Sequence, residues 1–255
     1  PDAIETIADI IPRLTVSRVI YVGETHDQFA HHMNQLKVIR KIHDAGYKLA
    51  VGMEMFQKPY QQVVDDYLAG QIDEINFLKK TEYFSRWRYD YNLYKPIIDY
   101  LKKQRIPLVA LNIQGDLTRK VAREGMYNLP GKQKRQLPSD MNFSNETYRK
   151  DLNQVFVVHN KQEDLQDFNY FFQAQMVWDE VMAESAHRFL ADHPEHKMVI
   201  LAGNGHVRYK YGIPDRLYRR NHEPFTVIVQ DEEIEDGVAH YVLLTTKLAG
   251  KESPK

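Results

Sequence analysis

Short, mostly β-branched apolar runs alternate along the chain with longer segments in which apolar residues recur at helical spacing. Runs of this kind, bounded by glycine or polar residues, are typical of buried strands in a parallel sheet. Strands are predicted at residues 19–22, 48–53, 107–111 and 198–202, with two later strands at 226–229 and 241–244 near the sheet edge. Because helices separate the strands, right-handed crossovers are favoured. The predicted fold class is therefore α/β, a three-layer α/β/α arrangement with a mainly parallel central sheet.

The segments between the strands carry helical patterns of different lengths. Helices are predicted at residues 29–45, 59–68, 72–78, 93–104, from Asp116 to Arg123, 146–158 and 165–191, with Asp116 as a plausible cap. Between residues 125 and 145 the apolar periodicity is lost, and the segment contains many Gly, Pro, Lys and Ser residues. This composition is typical of a long loop or insertion. We predict one domain over residues 1–255, with a helical insertion at about residues 125–165.

Composition narrows the classes of function. The chain has 34 Lys and Arg against 35 Asp and Glu, so no overall field attracts nucleic acid, and no nucleic-acid partner is predicted. It has no cysteine, which excludes disulfides, thiolate metal sites and a cysteine nucleophile. Pro1 is not a translation start, so a preceding segment is expected to have been removed, which is compatible with export.

Polar residues follow four of the predicted strands. Two strands share one arrangement, in which a glycine ends the apolar run and a histidine follows three residues later: Gly23 with His26, and Gly203 with His206. The polar residues at the four strand ends are Glu24, His26, Glu54, Asn112, Asn204 and His206. Because the carboxyl ends of parallel strands meet at one edge of a sheet, these side chains are expected to share a crevice.

Two kinds of chemistry, and one purely structural role, are compatible with this set of side chains. Two imidazoles and two carboxylates suit a divalent metal with open positions, or an acid–base pair. In a metal-dependent hydrolase, a metal-bound water would be the nucleophile, and Glu24, His26, Glu54 and His206 would form the site. The structural alternative is a hydrogen-bonded turn network that only stabilises the loops.

The long helix predicted at residues 165–191 carries a second polar set. Glu180, Glu184 and His187 fall on one helical face, with the Glu-x-x-His spacing of some bundle metal sites. Such a site needs a matching second helix, which the chain lacks. A solvated face is therefore the predicted role of these three residues.

Five motifs together resemble the ChaN-like haem-binding proteins. The motifs are Gly-Glu-Thr-His-Asp (23 to 27), Gly-Met-Glu-Met-Phe (52 to 56), Leu-Asn (111 to 112), Gln-Ala-Gln-Met-Val-Trp-Asp-Glu-Val-Met-Ala (173 to 183) and Gly-Asn-Gly-His-Val (203 to 207). Their order and spacing match from about Val19 to Arg216. The wider superfamily includes erythromycin-esterase-like (EreA) and Tiki/TraB-like proteins, in which Gly-x-x-His and glutamate residues serve hydrolysis.

The resemblance implies a haem-binding protein without catalytic turnover, exported and acting in bacterial haem or iron acquisition. It also implies a homodimer that holds two haems face to face, with a tyrosine of one subunit on each iron and a histidine of the other subunit on the propionates. Haem-receptor or transporter components would be further partners. An N-terminal lipid anchor would attach the protein to the outer membrane or its periplasmic face, although the expected anchor cysteine is missing from this chain.

The motifs do not single out the ligating residues among 16 tyrosines. Tyr148 is the preferred iron ligand and His159 its propionate partner, because both lie where the chain departs from the alternating pattern. Tyr209 and Tyr211, just after His206, are the alternatives. Phenolate is a hard anionic donor that favours ferric iron, so a tyrosine ligand suits a haem carrier.

Overall fold

A computed structural model describes residues 5–163, 167–231 and 233–245, with only the backbone given for residues 158–163. Its centre is a six-stranded parallel sheet in the order β3-β2-β4-β1-β5-β6. The strands are β1 (Val19–Glu24), β2 (Leu49–Gln57), β3 (Leu108–Asn112), β4 (Lys197–Gly203), β5 (Phe225–Asp231) and β6 (Tyr241–Leu244). The predicted parallel sheet is confirmed.

Helices cover both faces of the sheet. In the described residues they are α1 (Ile7–Leu14), α2 (Phe29–Asp44), α3 (Gln61–Leu68), α4 (Glu74–Lys80), α5 (Tyr83–Arg86), α6 (Lys95–Gln104), α7 (Gly115–Glu124), α8 (Gly131–Lys134), α9 (Glu146–Glu163), α10 (Phe168–Asp192) and α11 (Ile213–Asn221). On one face Ile39 of α2 and Ile97 of α6 pack with Val51 of β2. On the other face, Ala186 of α10 and Leu217 of α11 pack with the sheet. The two cores give the predicted three-layer α/β/α architecture.

The strand order positions the crevice. From β1 the chain crosses to β2 and β3 on one side, then returns through β4 to β5 and β6 on the other. In parallel sheets a ligand crevice opens beyond the carboxyl ends of the strands where the winding changes direction. Here that point lies at β1 and β4, the strands that end at Glu24 and Gly203.

The structure corrects two predicted boundaries. Strand β2 does not stop at Met53 but runs to Gln57, with a register shift against β3 between these two residues. Helix α7 is not capped by Asp116: its N-cap is Gln114, which makes no side-chain capping bond. The Asp116 carboxylate instead accepts hydrogen bonds from Arg86 and Arg119, so two guanidinium groups outcompete the helix backbone for it.

The segment between α7 and α10 contains short helices at residues 126–128 and 131–134 and the long helix α9. Apolar side chains anchor it to α10: Leu129 packs near Val177, and Tyr148 and Leu152 pack with Phe172. No helix in the described part of the chain has the length and hydropathy that a membrane crossing requires.

Candidate functional site

Glu24, at the end of β1, lies on the floor of the crevice and is 2% exposed. Its Oε1 is 2.8 Å from His26 Nδ1 and accepts a 2.7 Å hydrogen bond from the Tyr94 hydroxyl. Its Oε2 accepts a 2.8 Å bond from the Gln35 amide. Burial alone would raise the pKa of Glu24, but the contacts with His26 and His32 outweigh it and lower the pKa to about 2. Glu24 is therefore a permanent anion that orients His26.

His26 sits closer to the mouth of the crevice. Burial acts to lower the pKa of its imidazole, but Glu24 and Glu54 raise the pKa above the ordinary value. The ring passes over Gly203: a Cβ there would lie 3.1 Å from His26 Nε2 and 3.7 Å from Glu54 Oε2. The missing side chain of Gly203 thus allows the His26 imidazole and the Glu54 carboxylate to approach the same point.

Glu54 and His206 form the second half of the site. Glu54 Oε1 is 3.3 Å from His206 Nε2, and Oε2 accepts a 2.7 Å hydrogen bond from the Gly203 amide. His206 Nδ1 donates to Asp179 Oδ1 at 2.6 Å. Burial opposes the charge on His206, but Glu54 and Asp179 raise its pKa to about 10. In turn His206 holds the pKa of Glu54 below its usual range against the effect of burial.

Asp179 is the site residue that the strand pattern did not reveal. It is fully buried on α10 and lies between His206 and the Tyr148 hydroxyl, which donates to its Oδ2 at 2.9 Å. The Gln175 amide, one helical turn earlier, donates to Tyr148 at 3.1 Å. The available signal was a pair of polar residues at i, i+4 spacing inside an apolar helix, within one of the five recognised motifs.

Aromatic rings flank the two imidazoles. Trp87 meets the His26 ring edge-on at 4.7 Å between centroids, and Tyr89 lies 5.0 Å from it. Trp178 of α10 meets the His206 ring at 6.1 Å. The structure thus brings four of the six predicted strand-end residues, Glu24, His26, Glu54 and His206, into one polar crevice with aromatic sides. The side-chain amides of the other two, Asn112 and Asn204, instead donate to the backbone carbonyls of Glu54 and Gln230.

The family model described as "Haem-binding uptake, Tiki superfamily, ChaN" matches residues 10–217. The chain belongs to this family. A search of curated protein sequences finds no significant match.

Three solved structures share the fold. The structure described as cofacial heme binding to ChaN of Campylobacter jejuni superposes with a TM-score of 0.74 at 18% identity, over 94% of this chain and 92% of that chain. The type III effector HopBA1 gives 0.55 at 13% identity, over 93% and 92%. The erythromycin esterase EreC gives 0.52 at 14% identity, over 87% and 72%. At these identities the similarity shows the fold alone.

The sequence is also compatible with a divalent metal site in the crevice, but the geometry of the crevice does not suit one. Among the described residues, no group of three or more His, Asp or Glu side chains is placed to hold a metal ion. The geometry gives the reason: His206 turns both ring nitrogens toward carboxylates, Nε2 toward Glu54 and Nδ1 toward Asp179. An imidazole needs a free lone pair to bind a metal. The metal-dependent alternative is therefore not supported.

The four haem-ligand candidates lie in different environments. Tyr148 is 4% exposed, and burial followed by Asp179 raises its pKa well above the ordinary value. The side chain of His159 lies outside the described residues. Tyr209 and Tyr211 are half-buried, and their rings stack at 5.5 Å and 24°. The assignment of Tyr148 and His159 stays a prediction.

The backbone around the tyrosine pair is unusual. Tyr209 and Lys210 have φ angles of 53° and 69°, in the left-handed region that non-glycine residues rarely occupy. Such conformations cost of order 1 kcal/mol or more each and are concentrated at functional sites. Arg208 and Lys210 place cationic side chains on either side of Tyr209 in the sequence. This tyrosine pair is thus less enclosed than the hydroxyl of Tyr148, and Arg208 beside it pairs with Glu235 at 2.9 Å.

Proposed function

We propose that this protein binds haem and acts in bacterial haem or iron acquisition. The observation that carries the proposal is membership of the haem-binding uptake family over residues 10–217. Haem binding at a dimer interface is the finer proposal. The Campylobacter jejuni structure of the same fold, described as cofacial heme binding, supports it. Bound haem would supply a ferric iron that needs one hard axial donor and two propionates that need cations.

Tyr209 and Tyr211 are our preferred candidates for the axial donor. Both side chains are only half-buried, whereas Tyr148 would have to break its bond to Asp179 and ionise beside that carboxylate. Contact with Glu235 raises the pKa of Tyr209, which makes its phenolate harder to form. Arg208 and Lys210 would hold the propionates in this arrangement.

Single phenylalanine substitutions separate the candidates. We expect hemin to produce a Soret band, and Tyr209→Phe or Tyr211→Phe to weaken hemin binding about tenfold, because one axial ligand is lost. Tyr127, which is 76% exposed, gives the control: Tyr127→Phe should bind like the unmodified chain. Absence of hemin binding would refute the proposed function, and loss of the band only in Tyr148→Phe would return the assignment to Tyr148.

Dimerisation and export are parts of the same proposal. We expect native mass measurement to show two chains with two haems at saturating hemin, and single chains at every hemin concentration would contradict the dimer. We also propose an exported protein with a lipid anchor that passes haem to receptor or transporter components. Fractionation of cells that express the native gene would detect the protein in the membrane fraction, and recovery only from the cytosol would exclude export.

Acid–base hydrolysis is a second candidate function, and the convergence at the strand ends favours it. His206 lowers the pKa of Glu54, and Glu24 and Glu54 raise the pKa of His26 at the crevice mouth. Glu54 would accept a proton from an attacking water, and His26 would donate one to the leaving group. This reaction class covers esters and amides, without a metal ion.

An activated ester tests this second candidate. If the unmodified chain hydrolyses p-nitrophenyl acetate, Glu54→Gln should lower the rate at least about a hundredfold, since general base catalysis is lost. Glu184→Gln, in a half-buried ion pair of α10 outside the crevice, should leave the rate unchanged. EDTA should have no effect. An equal rate in Glu54→Gln would remove the crevice from any hydrolytic role.

A further inference from the structure

A separate cavity lies at the opposite end of the sheet from the crevice, where strands β2, β3 and β4 begin. Its volume is about 400 Å³, within the range of roughly 300–1,000 Å³ that is usual for small-molecule sites. The segments before the three strands form it: residues 46–49, residues 104–107 and His196 line the cavity, together with His43 of α2. This volume is sufficient for a small organic molecule.

The ionisable groups that line this cavity are mostly basic. They include two permanent cations and two imidazoles: Lys48, Arg105, His43 and His196. Among the described residues that line the cavity, none is an aspartate or a glutamate. Glu195, outside the lining, lies 3.8 Å from Lys48 Nζ and 3.2 Å from His196 Nδ1, with its side chain 45% exposed. One largely solvated carboxylate therefore offsets only part of the positive charge.

Arg105 is the cation that has no partner of its own. Its guanidinium group makes no hydrogen bond and no ion pair within the described part of the chain. Its backbone is also unusual, because Arg105 is the C-cap of α6 with φ 56° and ψ 37°, in the left-handed region. Glycine is the common residue at such a helix end, since it has no Cβ to strain. Strained backbone conformations are concentrated at functional sites, so a side-chain role for Arg105 would account for the arginine here.

Apolar and aromatic residues also line the cavity. Leu49, Ile106 and Pro107 are next to Tyr47 in this lining. The Tyr47 side chain is 38% exposed, and Lys197 Nζ lies 4.8 Å from the centroid of its ring. Cations beside apolar and aromatic surface suit a ligand that joins an anionic group to an apolar or planar body.

We propose that this cavity binds a small organic anion, in which a phosphate or a carboxylate group is attached to an apolar or planar body. Arg105 and Lys48 bind the anionic group, because a guanidinium fork and an ammonium are the usual partners of such oxygens. Tyr47 and Pro107 contact the body of the ligand. The proposal does not depend on haem binding or on hydrolysis, because the cavity shares no residue with the tyrosine pair or the crevice.

Arg105→Gly is the decisive variant, because it should weaken binding without lowering stability. Glycine adopts the left-handed conformation without strain, so the midpoint of thermal unfolding should not fall. Loss of the guanidinium group should weaken binding of the anion about tenfold or more, since charge-assisted bonds are lost. His222 gives the matched control: it is the C-cap of α11 with φ 53°, its side chain is exposed, and it does not line the cavity. His222→Gly should bind within about twofold of the unmodified chain.

Calorimetric titration with phenyl phosphate and with benzoate, at constant ionic strength, measures the effect. We expect saturable binding of at least one of these probes, about tenfold or more tighter than that of the neutral benzyl alcohol. Lys48→Gln should weaken this binding as Arg105→Gly does. Lys103→Gln, on the exposed surface of α6 and outside the cavity lining, should leave it within about twofold.

The two probes distinguish the anionic group of the ligand: tighter binding of phenyl phosphate indicates a phosphate, and tighter binding of benzoate a carboxylate. No saturable binding of either probe, or equal binding of benzyl alcohol, would overturn the proposal. Unchanged affinity in Arg105→Gly, or equal losses in Arg105→Gly and His222→Gly, would overturn it as well. Inorganic phosphate that bound as tightly as phenyl phosphate would refute the organic body.

Discussion

Replacing Glu180 with glutamine is expected to lower the free energy of unfolding by about 3–5 kcal/mol, because a buried ion cluster loses its central anion. The carboxylate is fully buried on α10 and lies 2.6 Å from Arg220 Nη2, 3.2 Å from Arg219 Nη2 and 3.5 Å from Arg216 Nε. Its Oε1 also accepts a 2.6 Å bond from the Asn142 amide. Without its charge, the almost fully enclosed Arg216 loses its counterion.

Glu184→Gln is the matched control for this prediction. Glu184 lies one turn later on α10 and pairs with Lys58 at 3.6 Å and with Arg188 at 3.0 Å, but its side chain is 17% exposed, whereas that of Glu180 is fully buried. Ion pairs that keep some contact with solvent contribute less than fully buried ones, so this variant should lose clearly less stability than Glu180→Gln. Urea denaturation followed by circular dichroism measures both variants. Similar losses for the two substitutions would contradict the special role of Glu180.

The ion cluster also shows where prediction from the sequence fails. Helical spacing placed Glu180 on a solvated face with Glu184 and His187, and for Glu180 this prediction is wrong. The arginines that enclose Glu180 come from α11, about 40 residues away, and the Asn142 amide comes from the insertion. Periodicity records which residues share a helix face, but not whether a distant segment covers that face.

The strand ends were predictable for the opposite reason. Parallel strands joined by crossover helices must finish at one edge of the sheet. The local patterns at Gly23 and Gly203 were therefore sufficient to predict that His26 and His206 lie close together. The extension of β2 past Glu54 was not predictable, because it depends on pairing with β3 through a register shift. The partner of His206 was also missed, since Asp179 reaches the crevice from a helix on one face of the sheet.

Stability should fall as the pH rises from about 6.5 towards 10, and His206 should be a main cause. Its pKa is raised from 6.5 to about 10 in the folded chain, so the folded state holds a proton that the unfolded state releases. When the pKa of a group is higher in the folded state than in the unfolded state, its protonation stabilises the folded state. This stabilisation is complete at a pH below the unfolded-state pKa, and it is lost as the pH rises through the folded-state pKa. Across this window the expected loss is about 3–5 kcal/mol.

Asp179→Asn tests the electrostatic origin of this dependence. The substitution keeps the shape of the side chain but removes one of the two carboxylates that hold the imidazolium, so the pKa of His206 should fall. We expect lower stability at neutral pH and a flatter profile between pH 6.5 and 10 than in the unmodified chain. Tyr148→Phe removes the neighbouring hydroxyl without changing a charge on His206, and should keep the steep profile.

Two measurements keep the outcome clear if Asp179→Asn folds poorly. Urea unfolding of the unmodified chain at several pH values gives the slope directly, and nuclear magnetic resonance of the histidine ring protons gives the titration of His206 itself. An imidazole that titrates near 6.5 would refute the buried ion pair with Asp179 and Glu54. A protonated ring persisting to alkaline pH would also leave His206 without the lone pair that metal coordination needs.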